Sequence, residues 1–526
     1  MNQNRTVKEN FFKTDDGTEL FYRTWEPVSE NFKKRAMIVL HRGHEHTGRL
    51  HDMIDKLDLP EFKAFGYDSR GHGRSPGIRG YAEDFSVLVN DLDQFVRYIS
   101  NEYDIPTENI VIIANSVAGV LTGAWVHDYA PSVKAIVLIA PAFRIKLYVP
   151  FAMFFLRILN LIKEKSFISS YIKGRLLTHD KNLAESYDND KLITKKIAVN
   201  ILISLHDTAT RIIDDAQAIN VPTCILSSGS DMVVKNSPQS EFFNRISSRE
   251  KEIHIFPGFF HGLFFEKERI KPISIAREFI LNIYKKELNP VNLLDADQKG
   301  FTKYEYDLLK SKLPIRKKIF YNAVRLAMST LGQLSKGIRV GYKFGFDSGV
   351  SLDHVYKNKP EGTLFLGKII DFFYLNSVGW KGIRLRKINL IKSVEQVIEK
   401  LNNRNIPVRI MDIAGGPGRY LIEIAEKYKD TDIEILSCDN KKVNIEEGKK
   451  IADAGKISNI KFKISDAFSK ESFEQENFSP NILIISGLFE LFPSNDDIRK
   501  SLKAATSILQ KNSYIIYTGQ PWHPQI

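Results

Sequence analysis

A chain of 526 residues exceeds what one hydrophobic core normally supports, so at least two domains are expected, and 43% hydrophobic with 26% charged residues is an ordinary soluble composition. Only two cysteines, Cys224 and Cys438, are present, which excludes a disulfide framework and fits a reducing cytoplasm. The formal charge of +12 invites a nucleic-acid reading, but the basic residues read as spread rather than striped and no nucleic-acid motif appears, so anionic lipid headgroups are the favoured partner and no nucleic acid is expected.

Residues Met1 to Asn10 hold no apolar run of a secretory signal. Ala36-Met37-Ile38-Val39-Leu40 reads as a strand that opens into a loop rich in histidine and glycine, His41 to Arg49. Closely spaced His41, His44, His46 and His51 admit a zinc reading. Neither an H-E-x-x-H pattern nor a cysteine pair accompanies them, and no metal is expected.

In Val111 to Val120 an apolar β-branched run breaks at Ala114-Asn115-Ser116-Val117-Ala118 and resumes as helix-forming sequence. This is the shape of a nucleophile elbow, with alanines where G-x-S-x-G has glycines. A serine needs a base and an orienting acid, in the chain order Ser, Asp, His for this turn. Asp231 follows the strand Pro222 to Ser228, and His261 follows the strand Glu252 to Phe256. His261 would take the Ser116 proton and return it to the leaving group, Asp231 would fix the imidazole tautomer, and the Val117 N–H would supply one oxyanion donor.

The segment His41-Arg42-Gly43-His44-Glu45-His46-Thr47-Gly48-Arg49 resembles the H-G-x-G-E-H-S-x-R loop of the monoglyceride lipase and lysophospholipase branch of the α/β-hydrolases. Asp68-Ser69-Arg70-Gly71-His72-Gly73-Arg74-Ser75 resembles that family's D-x-R-G-x-G-x-S segment. The resemblance implies an α/β-hydrolase fold, a second oxyanion N–H from Gly43, and a lipid monoester or lysophospholipid substrate. Arg42 and His44 stand where the family has glycines and are expected to narrow the acyl entrance or alter its charge. Such hydrolases insert a cap after the strand Ala135 to Ala140, so residues 141–217 are expected to form a helical lid. Its most apolar run, Leu147 to Leu156, is too short to span a bilayer and would face the acyl pocket or a membrane interface. A helix packed on the core is the competing reading.

Lys285-Lys286-Glu287-Leu288-Asn289-Pro290 reads as a linker. Beyond it, Gly341 to Asn358 and Gly379 to Lys387 combine aromatics, turn residues and basic residues, and place Tyr356 and Arg384 as candidate substrate contacts, with packing an equal alternative. A new strand, Val408 to Met411, runs into Asp412-Ile413-Ala414-Gly415-Gly416-Pro417-Gly418, a turn that lets backbone approach a ligand at a helix N-terminus. A dinucleotide would also suit such a turn. Later strands end at Asp439, placed for ribose hydroxyls, at Asp466-Ala467, placed for an adenine amino group, and at Ser486. The series resembles the class I S-adenosylmethionine-dependent methyltransferases, whose D-x-G-x-G-x-G turn matches Asp412, Ala414, Gly416 and Gly418 with one Gly-to-Ala change.

That resemblance implies S-adenosylmethionine as cofactor, held by Asp412, Ala414, Gly415, Gly416, Gly418, Asp439, Asp466, Ala467 and Ser486. No N-P-P-Y run follows the fourth strand, which argues against methylation of base amino groups; Glu490 is a candidate acceptor contact or a surface residue. After the fifth strand, Ser513 to Thr518, the sequence stops at Pro521 to Ile526, short of the further strands this family carries, and reads as truncated.

The expected architecture is therefore an α/β-hydrolase over 1–286, a helical linker and methyltransferase N-terminal extension over 287–400, and an incomplete Rossmann-like methyltransferase over 401–526. The whole resembles bacterial hydrolase and methyltransferase fusions. Acyl transfer by the same triad, or a decayed pair of ligand-binding or scaffolding modules, remains the alternative. A cytoplasmic or membrane-peripheral setting is compatible, and oligomeric state is left open.

Overall fold

The computed structural model describes residues 5–29, 32–163, 165–287, 294–299, 301–346, 348–474 and 478–519. The chain divides into two compact units, Met1–Asn292 and Leu293–Ile526. The expected linker falls partly on residues 288–290, outside the described residues, as do the final residues 520–526.

Among the described residues the first unit contains ten strands, β1 (Val7–Lys13), β2 (Glu19–Trp25), β3 (Arg35–Leu40), β4 (Phe62–Tyr67), β5 (Ile110–Asn115), β6 (Ala135–Ile139), β7 (Phe167–Ser169), β8 (Lys196–Ala198), β9 (Thr223–Ser228) and β10 (Lys251–Phe256). Eight of them form one sheet in the order β1-β2-β4-β3-β5-β6-β9-β10, antiparallel at β1/β2 and β2/β4 and parallel elsewhere. Both faces of the central strands are covered, so they read as unbroken apolar runs. Alternation divides β3 between two cores. Ala36, Ile38 and Leu40 pack with the helices Phe85–Glu102 and Val117–Tyr129, while Met37 and Val39 pack with His51–Lys56 and Ile270–Lys285.

Between β6 and β9 the chain forms a separate layer. It contains the helix Ala152–Ile162, the antiparallel pair β7/β8, the helix Lys181–Asn189 and the helix Val199–Asp214. Leu205, Ala209 and Ile212 of the last helix are buried in the core, whereas no residue of Ala152–Ile162 is buried. Packing on the core, the competing reading for this segment, thus holds for Val199–Asp214 and not for Ala152–Ile162.

In the second unit, β11 (Val408–Asp412), β12 (Ile433–Asp439), β13 (Ile460–Ile464), β14 (Ile482–Ser486) and β15 (Tyr514–Thr518) form an all-parallel sheet ordered β13-β12-β11-β14-β15. Strand order reverses at β11, which opens a crevice at the carboxyl ends of β11, β12 and β14 where such folds bind ligands.

Between residues 301 and 402 the described residues form helices joined by short turns, and one carboxylate ties several of these helices together. Asp371 is fully buried. Its Oδ1 accepts from Ser335 Oγ and from the Gly337 N–H (2.8 Å), and its Oδ2 from His354 Nε2 (2.9 Å) and the Glu361 N–H (2.8 Å). Burial pushes this carboxyl up, but the four donors outweigh it and hold it below its ordinary value. Its stabilisation is therefore complete above the unfolded carboxyl range and lost as pH falls through the lower folded value. Asp371→Ala should lower the stability of the second unit by about 3 kcal/mol in urea unfolding, and Asp371→Asn should flatten the acid limb of its pH–stability curve.

Candidate active site

β5 ends at Asn115 and the helix Val117–Tyr129 begins one residue later, so the backbone must reverse within Ser116. Ser116 accordingly sits at φ +56°, a left-handed conformation costly for a residue with a side chain. Its N–H donates to Ile139 O (2.8 Å), and its carbonyl accepts from the N–H groups of Gly119 (2.9 Å) and Ala142 (3.0 Å). These bonds hold the turn against its strain. Ala114 and Ala118 are both buried there, so a methyl group fits at each position.

The loops after β9 and β10 bring two further groups to the serine. Ser116 Oγ donates to His261 Nε2 (2.8 Å), and His261 Nδ1–H donates to Asp231 Oδ2 (2.8 Å). All three residues are buried. Asp231 Oδ1 accepts from the N–H groups of Val233 (2.7 Å) and Val234 (2.8 Å). Burial pushes the Asp231 carboxyl up, yet His261 and the two backbone donors outweigh it and keep it below its ordinary value. The acid is thus an acceptor at neutral pH, which dictates that Nδ1 carries the imidazole proton and leaves Nε2 free to act as base.

The loop after β3 passes beside Val117. A Cβ on Gly43 would lie 2.9 Å from Val117 Cγ2, so a side chain at position 43 would press on the Val117 side chain and displace the loop. His41 orients the same loop. Its Nε2 accepts from the Ser69 N–H (3.1 Å), so its Nδ1–H donates to Arg42 O (2.7 Å). That carbonyl belongs to the peptide group whose N–H is Gly43's, and the imidazole therefore fixes the direction of a candidate oxyanion donor. Two of the other histidines also have partners: His46 Nδ1 accepts from the Gly48 N–H (3.1 Å), its Nε2 donates to Asp190 (2.9 Å), and His51 Nδ1 accepts from Trp25 Nε1 (3.0 Å), whereas His44 Nδ1 is buried without a partner among the described residues.

The two departures in this loop have definite places. Arg42 is buried and pairs with Glu45 through Nε (2.9 Å) and Nη2 (2.6 Å), with its guanidinium 4.5 Å over the Phe265 ring. Burial disfavours its charge, but Glu45 more than compensates. His44 takes φ +74°, the conformation a glycine adopts freely, and its imidazole is pulled down to about 4 by burial, hence neutral. Arg42, Gly43 and His44 all line a cavity of about 970 Å³, open mouth included, with Ser116 and His261 on its wall and Phe85, Leu121, Ile145, Leu205 and Val233 in its apolar lining. His72 also lines it, pulled down to about 3 mainly by burial. The layer between β6 and β9 is tied to this site through Thr194 N–H to His44 O (2.9 Å), Gly262 N–H to Leu177 O (2.7 Å) and Asp190 to His46 and Arg49.

A second set of groups gathers at the carboxyl ends of β11, β12 and β14. Asp412 Oδ1 accepts from the Ala414 N–H (2.9 Å), while its Oδ2 is buried without a partner among the described residues, as is Ser437 Oγ. Burial, with Asp439 nearby, pushes the Asp412 carboxyl up to about 8. Asp439 Oδ2 accepts from the Gly416 N–H (3.0 Å), and Oδ1 from the Lys441 N–H (2.8 Å) and Asn444 Nδ2 (2.9 Å). Gly416 lies at φ +57° with nothing within 4 Å of the place a Cβ would take. An open glycine turn, an unpaired buried carboxyl oxygen and a carboxylate with a remaining lone pair fit a nucleoside with a cationic tail. Gly415 packs on Ser437 and Asp412, Gly418 is at φ +67°, Asp466 is exposed beside buried Ala467, and Ser486 Oγ meets Thr518 Oγ1 (3.1 Å).

Arg384, read from the sequence as either a substrate contact or a packing residue, donates to Leu375 O (2.8 Å). Arg386 pairs with Glu490 (2.8 Å) and lies against Gly487, and its guanidinium only partly counters the burial that raises the Tyr356 phenol. Nothing local in the sequence distinguishes Arg386 from Arg384, because its partner lies 104 residues away.

Comparison with known proteins assigns both units. The family described as "Serine aminopeptidase, S33" matches residues 32–268, and that described as "Putative methyltransferase" matches residues 276–526. The chain is 24% identical over 267 residues to a monoacylglycerol lipase of Mycolicibacterium smegmatis, covering 50% of this chain and 93% of that protein. It is 25% identical over 251 residues to the Homo sapiens monoglyceride lipase, covering 47% and 81%. Over its full length it is 40% identical to the uncharacterized protein YnbC of Escherichia coli (strain K12), covering 100% of this chain and 90% of that protein. The chain carries an S33-type α/β-hydrolase domain followed by a methyltransferase domain, and it belongs to the same family as YnbC.

Proposed function

We propose that the hydrolase domain, residues 1–286 with a lid over 141–217, cleaves esters of lipid monoesters or lysophospholipids with Ser116 as nucleophile. The observation that carries this reading is the bonded row Ser116–His261–Asp231 on the wall of a largely apolar cavity. Ser116 Oγ attacks the ester carbonyl carbon as its proton passes to His261 Nε2. The Val117 and Gly43 N–H groups receive the oxygen that becomes negative. Collapse breaks the bond to the alcohol, which leaves with the proton from His261; water then repeats the cycle on the acyl-serine. Neutral His44 and His72 leave the cavity wall uncharged on that side, which suits an acyl chain.

The methyltransferase domain, residues 401–526 with an N-terminal extension from 287, is proposed to use S-adenosylmethionine, which supplies an electrophilic methyl group when bound. Asp439 would hold the ribose, Asp466 and Ala467 the adenine, and Asp412 with the turn Ala414, Gly415, Gly416 and Gly418 the remaining polar groups. Ser486 closes the β14 side. Arg386, Glu490 and Tyr356 are proposed to face the acceptor.

Ser116→Ala should lower kcat on medium-chain p-nitrophenyl esters by on the order of 10⁴ or more. Gly43→Ala should cost roughly 10² in kcat with little change in KM; a serine variant of undiminished activity contradicts the assignment. Titration calorimetry should detect S-adenosylmethionine binding to the intact chain and its loss in Asp439→Ala. Because the folded chain keeps the Asp412 proton up to about 8 whereas the unfolded group loses it near 3.8, stability should fall as pH rises across that window. Asp412→Asn should remove that slope from the thermal midpoints.

A further inference from the structure

The chain's positive charge is not spread. Residues 301–392 contain eighteen Lys and Arg against six Asp and Glu, a net +12 that equals the excess of the whole chain, and residues 310–346 contain nine basic residues and no acidic one. This corrects the expectation of a dispersed basic surface and places the excess on the helices of the second unit that precede its sheet.

Two of those helices turn apolar side chains to solvent. In Ile315–Ser329 no residue is buried, and Ile315, Ile319, Phe320 and Leu326 are each more than 60% exposed. The helix Leu364–Leu375 is inside out: Gly367, Asp371 and Leu375 face inward, whereas Leu364, Phe365 and Phe373 are 70–80% exposed. The inward face is dictated by the Asp371 knot, so the outward aromatics are not available to the core. The short turn Leu331–Leu334 packs against both helices and adds exposed Leu331. Arg316, Lys317, Lys318 and Arg325 on the first helix and Lys368 on the second make no ion pair among the described residues. Exposed Leu, Ile and Phe interleaved with unneutralised Lys and Arg cost solvation free energy unless a partner removes the apolar groups from water while remaining anionic.

We propose that the Ile315–Ser329 and Leu364–Leu375 helices form a docking face for an anionic phospholipid bilayer. The apolar side chains enter the headgroup and acyl boundary, and the basic groups meet lipid phosphates. A single-stranded nucleic acid matches the charge and could stack on the phenylalanines, but it offers nothing to Ile315, Ile319, Leu326, Leu331 and Leu364. No described helix is long and apolar enough to cross a membrane, so the contact is with the surface. The face is independent of either catalytic assignment; it belongs to the second unit and the helix Ala152–Ile162 to the first.

The test is co-sedimentation of the full chain with vesicles of phosphatidylcholine alone and of equal parts phosphatidylcholine and phosphatidylglycerol. The wild type should bind the mixed vesicles, weaken with added salt, and bind the neutral ones poorly. The triple variant Arg316→Glu, Lys317→Glu, Lys318→Glu should bind the mixed vesicles roughly a hundredfold less tightly while keeping soluble-ester hydrolysis and its circular dichroism. Phe365→Ser with Phe373→Ser, both at exposed positions, should also weaken binding. Undiminished vesicle binding by these variants, loss only in Phe154→Ser with Phe155→Ser on the lid, or tighter binding to single-stranded nucleic acid than to mixed vesicles would each overturn the proposal.

Discussion

The first unit depends on the parallel register of β5, β9 and β10. Each strand delivers one loop to the same edge of the sheet, and the loops carry Ser116, Asp231 and His261 into one hydrogen-bonded row. A one-residue slip in any of these strands would exchange the side chains of its two faces and displace its loop. The fully buried interiors of β5 and β9 make such a slip prohibitive. Geometry at the row is thus inherited from the core, and the strain at Ser116 is held by backbone bonds to the neighbouring strand end.

The same logic, with different chemistry, organises the second unit. Its sheet is also parallel, and the reversal of strand order at β11 leaves Asp412 and Asp439 at one rim. In the first unit burial keeps His44 and His72 neutral; in the second it keeps Asp412 protonated up to about 8. Both cases trade charge for a site whose polarity a ligand completes. Asp371 is the opposite case, a buried carboxylate fully supplied with donors, and it is structural.

What was legible in the sequence follows from burial. Strands covered on both faces announce themselves as apolar β-branched runs, as in Ala36 to Leu40 and Val111 to Ala114, and their end loops could be searched for acid, base and nucleophile. β1, β2 and β4 gave no such signal: β1 is an edge strand carrying Lys8, Glu9 and Asn10, and β4 is interrupted by Lys63 and Gly66. Arg386 was hidden because ion pairs between distant segments leave no local pattern. That His44 stands at a family glycine position is legible, but that its backbone keeps φ +74°, the conformation glycine adopts freely, is not. The basic excess was misjudged because whole-chain composition averages over a segment whose charge is one-sided.

The central claim is that the Ser116 hydroxyl is activated through His261 by Asp231. Treating the intact chain with a fluorophosphonate and mapping the product by peptide mass spectrometry tests it most directly. The account predicts a single phosphonyl adduct on Ser116, formed far more slowly in Asp231→Asn. An adduct on another residue with Ser116 unmodified, or an equal rate in the Asp231 variant, would contradict it.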